Sequence, residues 1–119
     1  MTKQEFLSFC EKTYGTTPDL PFSNDFITTT LRHEDNKKWY AIVMLLSRKK
    51  FGFDSEEKID VVNLKLPLEL FGAFTKEEGV YPAYHMNKKH WISILLDDNL
   101  DDSLLTSLID ISYDLTIKR

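Results

Sequence analysis

The sequence lacks features on which whole classes of protein depend. It contains a single cysteine, Cys10, in 119 residues, which excludes an internal disulfide and a cysteine-based zinc cluster. No apolar run approaches the roughly 18 residues of a transmembrane helix. Residues 1–5 contain neither the basic nor the apolar segment of a secretory signal. We therefore expect a cytoplasmic protein with no membrane partner.

The motifs of common catalytic machinery are also missing. There is no glycine-rich phosphate loop, no nucleophile elbow and no His-Glu-x-x-His pair. Paired carboxylates occur only in acidic runs such as Asp97-Asp98 and Asp101-Asp102, which are typical of a turn and a helix cap. The chain has three histidines, His33, His85 and His90, and their spacing does not match that of known metal-binding motifs. We expect a non-catalytic protein that uses no metal and no cofactor.

What the chain does contain is enough for one folded core. Hydrophobic residues make up 42% and aromatic residues 13% of the sequence, and this aromatic content argues against disorder. The length fits one domain, and two domains in 119 residues would each be marginal. The sequence therefore predicts a single domain over residues 1–119.

The spacing of apolar residues predicts three helices and at least four strands. The predicted order is a helix at 3–13, strands at 26–31, 39–46 and 59–66, a helix from Pro67 to Gly79, a strand at 91–96, and a last helix ending near Lys118. Residues 47–57 are expected to be a long connection, and residues 81–89 show no clear periodicity. Sequential strands with short turns favour an α+β domain with two layers, an antiparallel sheet with helices packed mainly on one face.

Charge is unevenly distributed along the chain. The formal net charge is −4, but residues 32–50 carry six basic and two acidic side chains, and residues 79–92 carry two lysines and no acid. If the fold brings these two segments together, one face of the molecule is cationic. The alternative is solvated charge distributed over strand ends and helix faces.

A nucleic-acid surface is the first candidate site. Lysine and arginine neutralise phosphates and release counterions. The candidate side chains are Arg32, Lys37, Lys38, Arg48, Lys49, Lys50, Lys88 and Lys89. An eight-residue strand is about 26 Å long, so the groups at its two ends need not share one patch. DNA is the first candidate partner.

A pocket for an anionic small molecule, or for part of another protein, is the second candidate. Polar groups that converge beside aromatic rings are typical of a ligand pocket. The candidate side chains are His33, Asn36, Asn63, Lys65, Tyr81, Tyr84, His85, Asn87 and His90. The same residues also fit a purely structural hydrogen-bond network. A pocket requires that they converge, whereas a nucleic-acid surface requires that the basic residues form one exposed face.

Cys10 and the two tryptophans each allow two interpretations. Cys10 lies within the apolar pattern of the first helix, which favours a buried structural thiol over a nucleophile. Trp39 and Trp91 each begin a strand just after a pair of lysines. We expect them to pack in the core or at its rim, and the alternative is stacking on a base or a ligand.

Three stretches of the chain resemble a known family. They are Leu31–Ala41, Asp60–Lys65 and Tyr81–Ile92, with Pro18–Phe22 ahead of them. Together they resemble the MmcQ/YjbR family of small bacterial proteins, and the resemblance covers nearly the whole chain. Departures at Leu31, Phe22 and residues 66–68 affect packing and capping, and leave the polar motif residues in place.

The resemblance implies more about fold than about function. It implies a two-layer α+β fold with an antiparallel sheet, related to the frataxin-like and secretion-chaperone-like shapes and likened to a double-wing DNA-binding motif. Members are commonly labelled DNA-binding, which is an argument by fold analogy, and no enzymatic activity is implied. The working hypothesis is non-catalytic binding, with DNA as the first candidate ligand.

Overall fold

In the computed structural model, residues 1–84, 86–97 and 100–117 are described, and within them three α-helices and five strands follow one another. In chain order the elements are α1 (Lys3–Tyr14), β1 (Thr29–Arg32), β2 (Trp39–Ser47), a 3-10 turn (Arg48–Phe51), β3 (Lys58–Lys65), α2 (Leu68–Phe74), β4 (Val80–Pro82), β5 (Trp91–Leu95) and α3 (Asp102–Thr116). The α+β class expected from the sequence is confirmed.

The five strands form one antiparallel sheet in the order β1-β2-β3-β5-β4. Ala41 of β2 pairs with Leu64 of β3, and Leu64 pairs in turn with Ile92 of β5. Because β3 is antiparallel to both neighbours, β2 and β5 run parallel to each other. The first residues of β2 and β5 therefore lie at the same end of the sheet.

The helices cover one face of this sheet. The main core joins alternate strand residues such as Val62 and Ile94 to Phe6 of α1 and to Leu108 and Ile109 of α3. Phe71 and Phe74 of α2 pack against the same core. These residues repeat at about 3.6-residue spacing in the helices and at two-residue spacing in the strands, which is the pattern of two facing layers.

Loops cover part of the opposite face. A smaller cluster joins Val61 and Leu95 to Phe51 and Phe53, which lie in and just after the 3-10 turn. Val62 and Leu64, which flank Asn63 in β3, point into the main core. The Asn63 side chain therefore lies on the opposite face, where it is fully buried. The segment between β4 and β5 lies over it, since the Asn63 amide donates to the Tyr84 carbonyl at 3.0 Å.

Two element boundaries differ by several residues from the sequence prediction, and one strand was not predicted. β1 begins at Thr29 because the Asp25 carboxylate accepts hydrogen bonds from the amides of Ile27 and Thr28 at 2.8 and 2.9 Å, which forms a turn where a strand was expected. α2 ends at Phe74 and does not continue to Gly79. β4 was not predicted, since three residues are too short to show an alternating pattern.

A β-bulge interrupts β2 near its first residue. Leu31 pairs with Ala41 but Arg32 pairs with Trp39, so Tyr40 is the extra residue. Tyr40 and Ala41 are both fully buried in the main core. A bulge places two successive side chains on one side of a strand, which explains how both neighbours reach the core.

The Ser112 hydroxyl joins α3 to the sheet at this position. It donates to the Tyr40 carbonyl at 2.5 Å and accepts from the Lys65 amide at 2.9 Å. Tyr40 and Lys65 would form the next pair of the β2–β3 ladder beyond Ala41 and Leu64. A fully buried side chain of α3 thus replaces a direct strand-to-strand bond.

We expect the substitution Ser112→Ala to lower the free energy of unfolding by about 1–3 kcal/mol, because it leaves a buried carbonyl and a buried amide without their partner. Urea denaturation measures the change. Ser107→Ala is the matched control, since Ser107 is exposed on the same helix and, among the described residues, its hydroxyl bonds only to the Ser103 carbonyl. Equal stability of the two variants would show that the strands re-pair without the hydroxyl.

Candidate functional site

The basic residues identified from the sequence lie in two groups at opposite ends of β2. Lys37 and Lys38 precede the strand, whereas Arg48, Lys49 and Lys50 follow it. Nine residues of strand extend about 30 Å. The structure therefore does not bring the two groups into one patch.

The group that follows β2 is largely engaged in contacts within the protein. The Arg48 guanidinium bonds to Glu57 at 2.8 Å and to Asp97 at 3.1 Å, and its Cζ lies 5.7 Å from the centre of the Phe53 ring. Lys49 lies 3.6 Å from a carboxylate oxygen of Glu56. These contacts hold the 48–57 segment against the sheet and neutralise much of its positive charge.

The other end of the sheet collects lysines from three strands or their leading turns. Lys37 and Lys38 precede β2, Lys88 and Lys89 precede β5, and Lys65 ends β3 between them. We call these five residues the basic end. Lys65 is partly buried and the other four residues are exposed. Acids also lie near these lysines in the chain: Glu34 and Asp35 precede Lys37, and Glu69 follows Lys65 by four residues.

An asparagine orders each of the two turns that hold the lysine pairs. The Asn36 side-chain oxygen accepts from the Lys38 amide at 2.8 Å, and that of Asn87 accepts from the Lys89 amide at 2.9 Å. Lys37 adopts a left-handed backbone with φ of 62° within the first turn. The candidate pocket residues Asn36 and Asn87 thus position the lysines of the basic end.

The first turn is also attached to the C-terminal end of α3. Asn36 donates to the Thr116 carbonyl at 2.9 Å, and the His33 Nε2 shares a hydrogen bond of 2.8 Å with the Thr116 hydroxyl. The His33 ring lies 4.4 Å from that of Tyr113 and is 5% exposed. Asn36 satisfies one of the carbonyls that a helix end leaves free.

Asn63 and Tyr84 belong to a separate network on the opposite face of the sheet. The Ser93 hydroxyl donates to the Asn63 side-chain oxygen at 2.5 Å and accepts from the Tyr84 amide at 3.0 Å. The Tyr81 ring packs 5.3 Å from that of Phe51. These contacts attach the segment after β4 to the sheet.

The eight candidate pocket residues that the structure describes therefore do not converge. His33 and Asn36 contact α3, whereas Asn63, Tyr81 and Tyr84 lie on the opposite face. His90 is exposed, and its backbone carbonyl accepts from the Leu66 amide at 2.8 Å. Lys65 and Asn87 belong to the basic end and its turn, and His85 lies outside the described residues.

A cleft of about 820 Å³ lies between the end of α1, β1 and the first turn. Its lining includes Arg32, which is ion-paired with Asp19, together with the stacked rings of Tyr14 and Tyr113, whose centres are 4.1 Å apart. Sequence reasoning missed Asp19, Tyr14 and Tyr113, because no motif links residues so far apart in the chain. Burial and a hydrogen bond to Asp110 raise the pKa of Tyr14, so its phenol stays protonated.

The two tryptophans lie outside the hydrophobic clusters. Trp39 and Trp91 are both partly exposed, and neither belongs to the main core or to the smaller cluster. Among the described residues, neither ring has an aromatic partner. Of the two positions expected, core or rim, the core is therefore wrong, and both rings are half-buried at the first residue of their strand.

Cys10 is fully buried in the main core. Burial raises the pKa of its thiol to about 12, so the reactive thiolate does not form near neutral pH. Within the described ranges, no group of three or more His, Cys, Asp or Glu side chains is arranged to hold a metal ion. None of the helices described is long and apolar enough to cross a membrane.

Comparison with known proteins gives a consistent assignment. A sequence profile of the YjbR family matches residues 11–115. The chain is 37% identical to the uncharacterized protein YyaQ of Bacillus subtilis, over 98% of both chains, and 30% identical to the uncharacterized protein YjbR of Escherichia coli K12, over 95% of this chain and 85% of that one. The crystal structure of a Pseudomonas syringae protein is similar, with a TM-score of 0.95 and 42% identity over 98% of this chain and 100% of that chain.

We expect stability to fall as the pH drops below 6.5, through His33. Burial lowers the pKa of its imidazole from 6.5, and a hydrogen bond to the Tyr113 backbone and the Asp35 carboxylate only partly oppose this. Above pH 6.5 neither the folded nor the unfolded chain protonates this group. Below it the unfolded chain takes up a proton that the folded chain does not, so the free energy of unfolding decreases down to the folded pKa.

Urea midpoints of the wild type and of His33→Gln, compared across this pH range, measure the effect. The glutamine variant is expected to show a flatter decline. His90→Gln is the control, because it removes an exposed imidazole. A decline equally steep in His33→Gln would assign the pH dependence to other groups.

Proposed function

This chain belongs to the YjbR family, and from that premise we propose that it is a non-catalytic nucleic-acid-binding protein that contacts DNA through the basic end of its sheet. The observation that carries the proposal is the parallel course of β2 and β5 on either side of β3. It brings the pairs Lys37-Lys38 and Lys88-Lys89, which are about 50 residues apart in the chain, to one end of the molecule.

The spacing of these strands suits a phosphate backbone. β2 and β5 are two strand positions apart, which is about 10 Å, and Lys65 lies between them at the end of β3. Lysine side chains are long enough to reach several phosphates from such a row. The Lys88 ammonium donates to the Ala83 carbonyl at 2.9 Å, which leaves four lysines for phosphates. If those four contact phosphates, the plot of log affinity against log salt has a slope of about −3.6 on duplex DNA.

The charge of the remaining surface supports one orientation of the ligand. The chain has a net charge of −4 although its basic end is strongly cationic. Acidic side chains elsewhere repel a polyanion, so an approaching nucleic acid is attracted to the basic end alone. Arg48, whose charge is offset by Glu57 and Asp97, adds little to this attraction.

The cleft beside α1 favours a second candidate function, the binding of a small molecule. Its volume of about 820 Å³ falls within the usual range for ligand sites. Its lining carries both charge signs, with Arg32 and Lys37 beside Asp19, Glu34 and Asp35. This lining suits a polar ligand that carries charges of both signs.

We expect the double variant Lys38→Ala/Lys89→Ala to bind duplex DNA more weakly and with a salt slope reduced by about 1.8, because two phosphate contacts are lost. Both side chains are exposed, and within the described residues neither makes a side-chain hydrogen bond or ion pair. Fluorescence anisotropy of a labelled duplex between about 50 and 200 mM salt measures both effects.

Lys49→Ala/Lys58→Ala is the matched control, since it removes the same charge at the opposite end of the sheet, where Lys58 pairs with Ser47. It is expected to bind nearly as the wild type does. Equal loss in the two double variants would contradict a localised site. If the wild type binds neither the duplex nor a single strand of the same length at the lowest salt, nucleic-acid binding is rejected and the cleft becomes the leading candidate.

A further inference from the structure

The two tryptophans of the chain are close in sequence or strand pairing to lysines of the basic end. Trp39 directly follows Lys38, and Trp91 follows Lys89 by two positions. Lys65, at the end of β3, pairs directly with Trp91. These two side chains, the largest in the protein, are thus partly exposed near lysines. Neither belongs to a hydrophobic cluster, so core packing does not explain their position.

The strand register places these side chains on one face of the sheet. Successive side chains of a strand point to opposite faces, so Lys65 shares the face of Asn63 and Trp91 shares that of Ser93. Asn63 and Ser93 bond to each other on the face opposite the helices. Because the bulge directs Tyr40 to the core with Ala41, Trp39 falls on that same face.

We propose that Trp39 and Trp91 form a stacking platform for unpaired nucleobases, with Lys65 between them on the phosphate backbone, so that the basic end prefers single-stranded over duplex nucleic acid. This inference rests on the proposed nucleic-acid binding and specifies its substrate. Base–tryptophan stacking combined with a cationic track is the usual means of binding single strands without sequence preference.

Duplex geometry is the reason for this preference. Bases in a duplex follow one another at about 3.4 Å along each strand and cover each other's faces. Two indoles on strands about 10 Å apart cannot contact such faces unless base steps are unstacked, which costs a few kcal/mol per step. Unpaired bases expose their faces and can be splayed apart to meet both rings.

Intrinsic fluorescence tests the proposal on the wild-type protein. The chain has two tryptophans, so all indole emission comes from this site. Oligo(dT) and oligo(rU) are expected to quench the emission alike, because stacking contacts the base and not the sugar 2′-hydroxyl. A duplex of the same length is expected to bind more weakly and to quench little.

Single substitutions then assign the effect to each ring. Trp39→Leu and Trp91→Leu keep apolar bulk but remove the aromatic face, and each is expected to lower affinity for oligo(dT) by about tenfold while changing duplex affinity less than twofold. Trp→Phe at either position should restore part of the loss. Phe26→Leu is the control, since this aromatic ring is 80% exposed on the loop before β1, away from the basic end.

The outcomes separate this inference from the function on which it rests. Duplex binding that depends on Lys38 and Lys89 but leaves the fluorescence unchanged would retain nucleic-acid binding and overturn the stacking platform. Leucine variants that bind oligo(dT) as tightly as the wild type would also overturn it. If neither single strands nor duplex bind at low salt, both proposals fail.

Discussion

The contact on which the basic end depends is the Ser112 hydroxyl between the ends of β2 and β3. It occupies the place of a ladder hydrogen bond and fixes α3 against the sheet where the bulge at Tyr40 disturbs the pairing. One helical turn further along, Thr116 holds His33 and Asn36. The hydrogen bonds that His33 and Asn36 make to Thr116 of α3 therefore order the turn that presents Lys37 and Lys38.

Much of the fold could be predicted from local patterns, because the main helices and strands are long enough to show their period. The first helix, for example, begins at a capping box of Thr2 and Glu5 and ends at Gly15, which has a φ of 69°, and both are signals that neighbouring residues carry. β4 could not be predicted, since three residues carry no period. Strand order was also beyond local reasoning, because it depends on pairings such as Leu64 with Ile92 that no neighbouring residue encodes.

The candidate site illustrates the same division between local and distant information. Clusters of lysine were visible in the sequence, but their separation into two ends follows from the length of β2 and the order of the sheet. His33 and Asn36 looked like ligand-binding groups, because their partner Thr116 is about 80 residues away. Trp39 looked like a core residue, since the bulge that directs Tyr40 inward in its place has no sequence signature.

Distance and screening make the two cationic groups of β2 independent of each other. They are about 30 Å apart, whereas the screening length at 0.1 M salt is about 10 Å. Arg48 therefore contributes almost no field at Lys38, even before its pairing with Glu57 and Asp97 is counted. A polyanion bound at the basic end, as proposed, would be attracted by a few lysines within one screening length and repelled beyond them by the net charge of −4 that the rest of the chain gives the protein. Such a field favours a short segment of polyanion over a long rigid one, because only the short segment avoids the repelling surface.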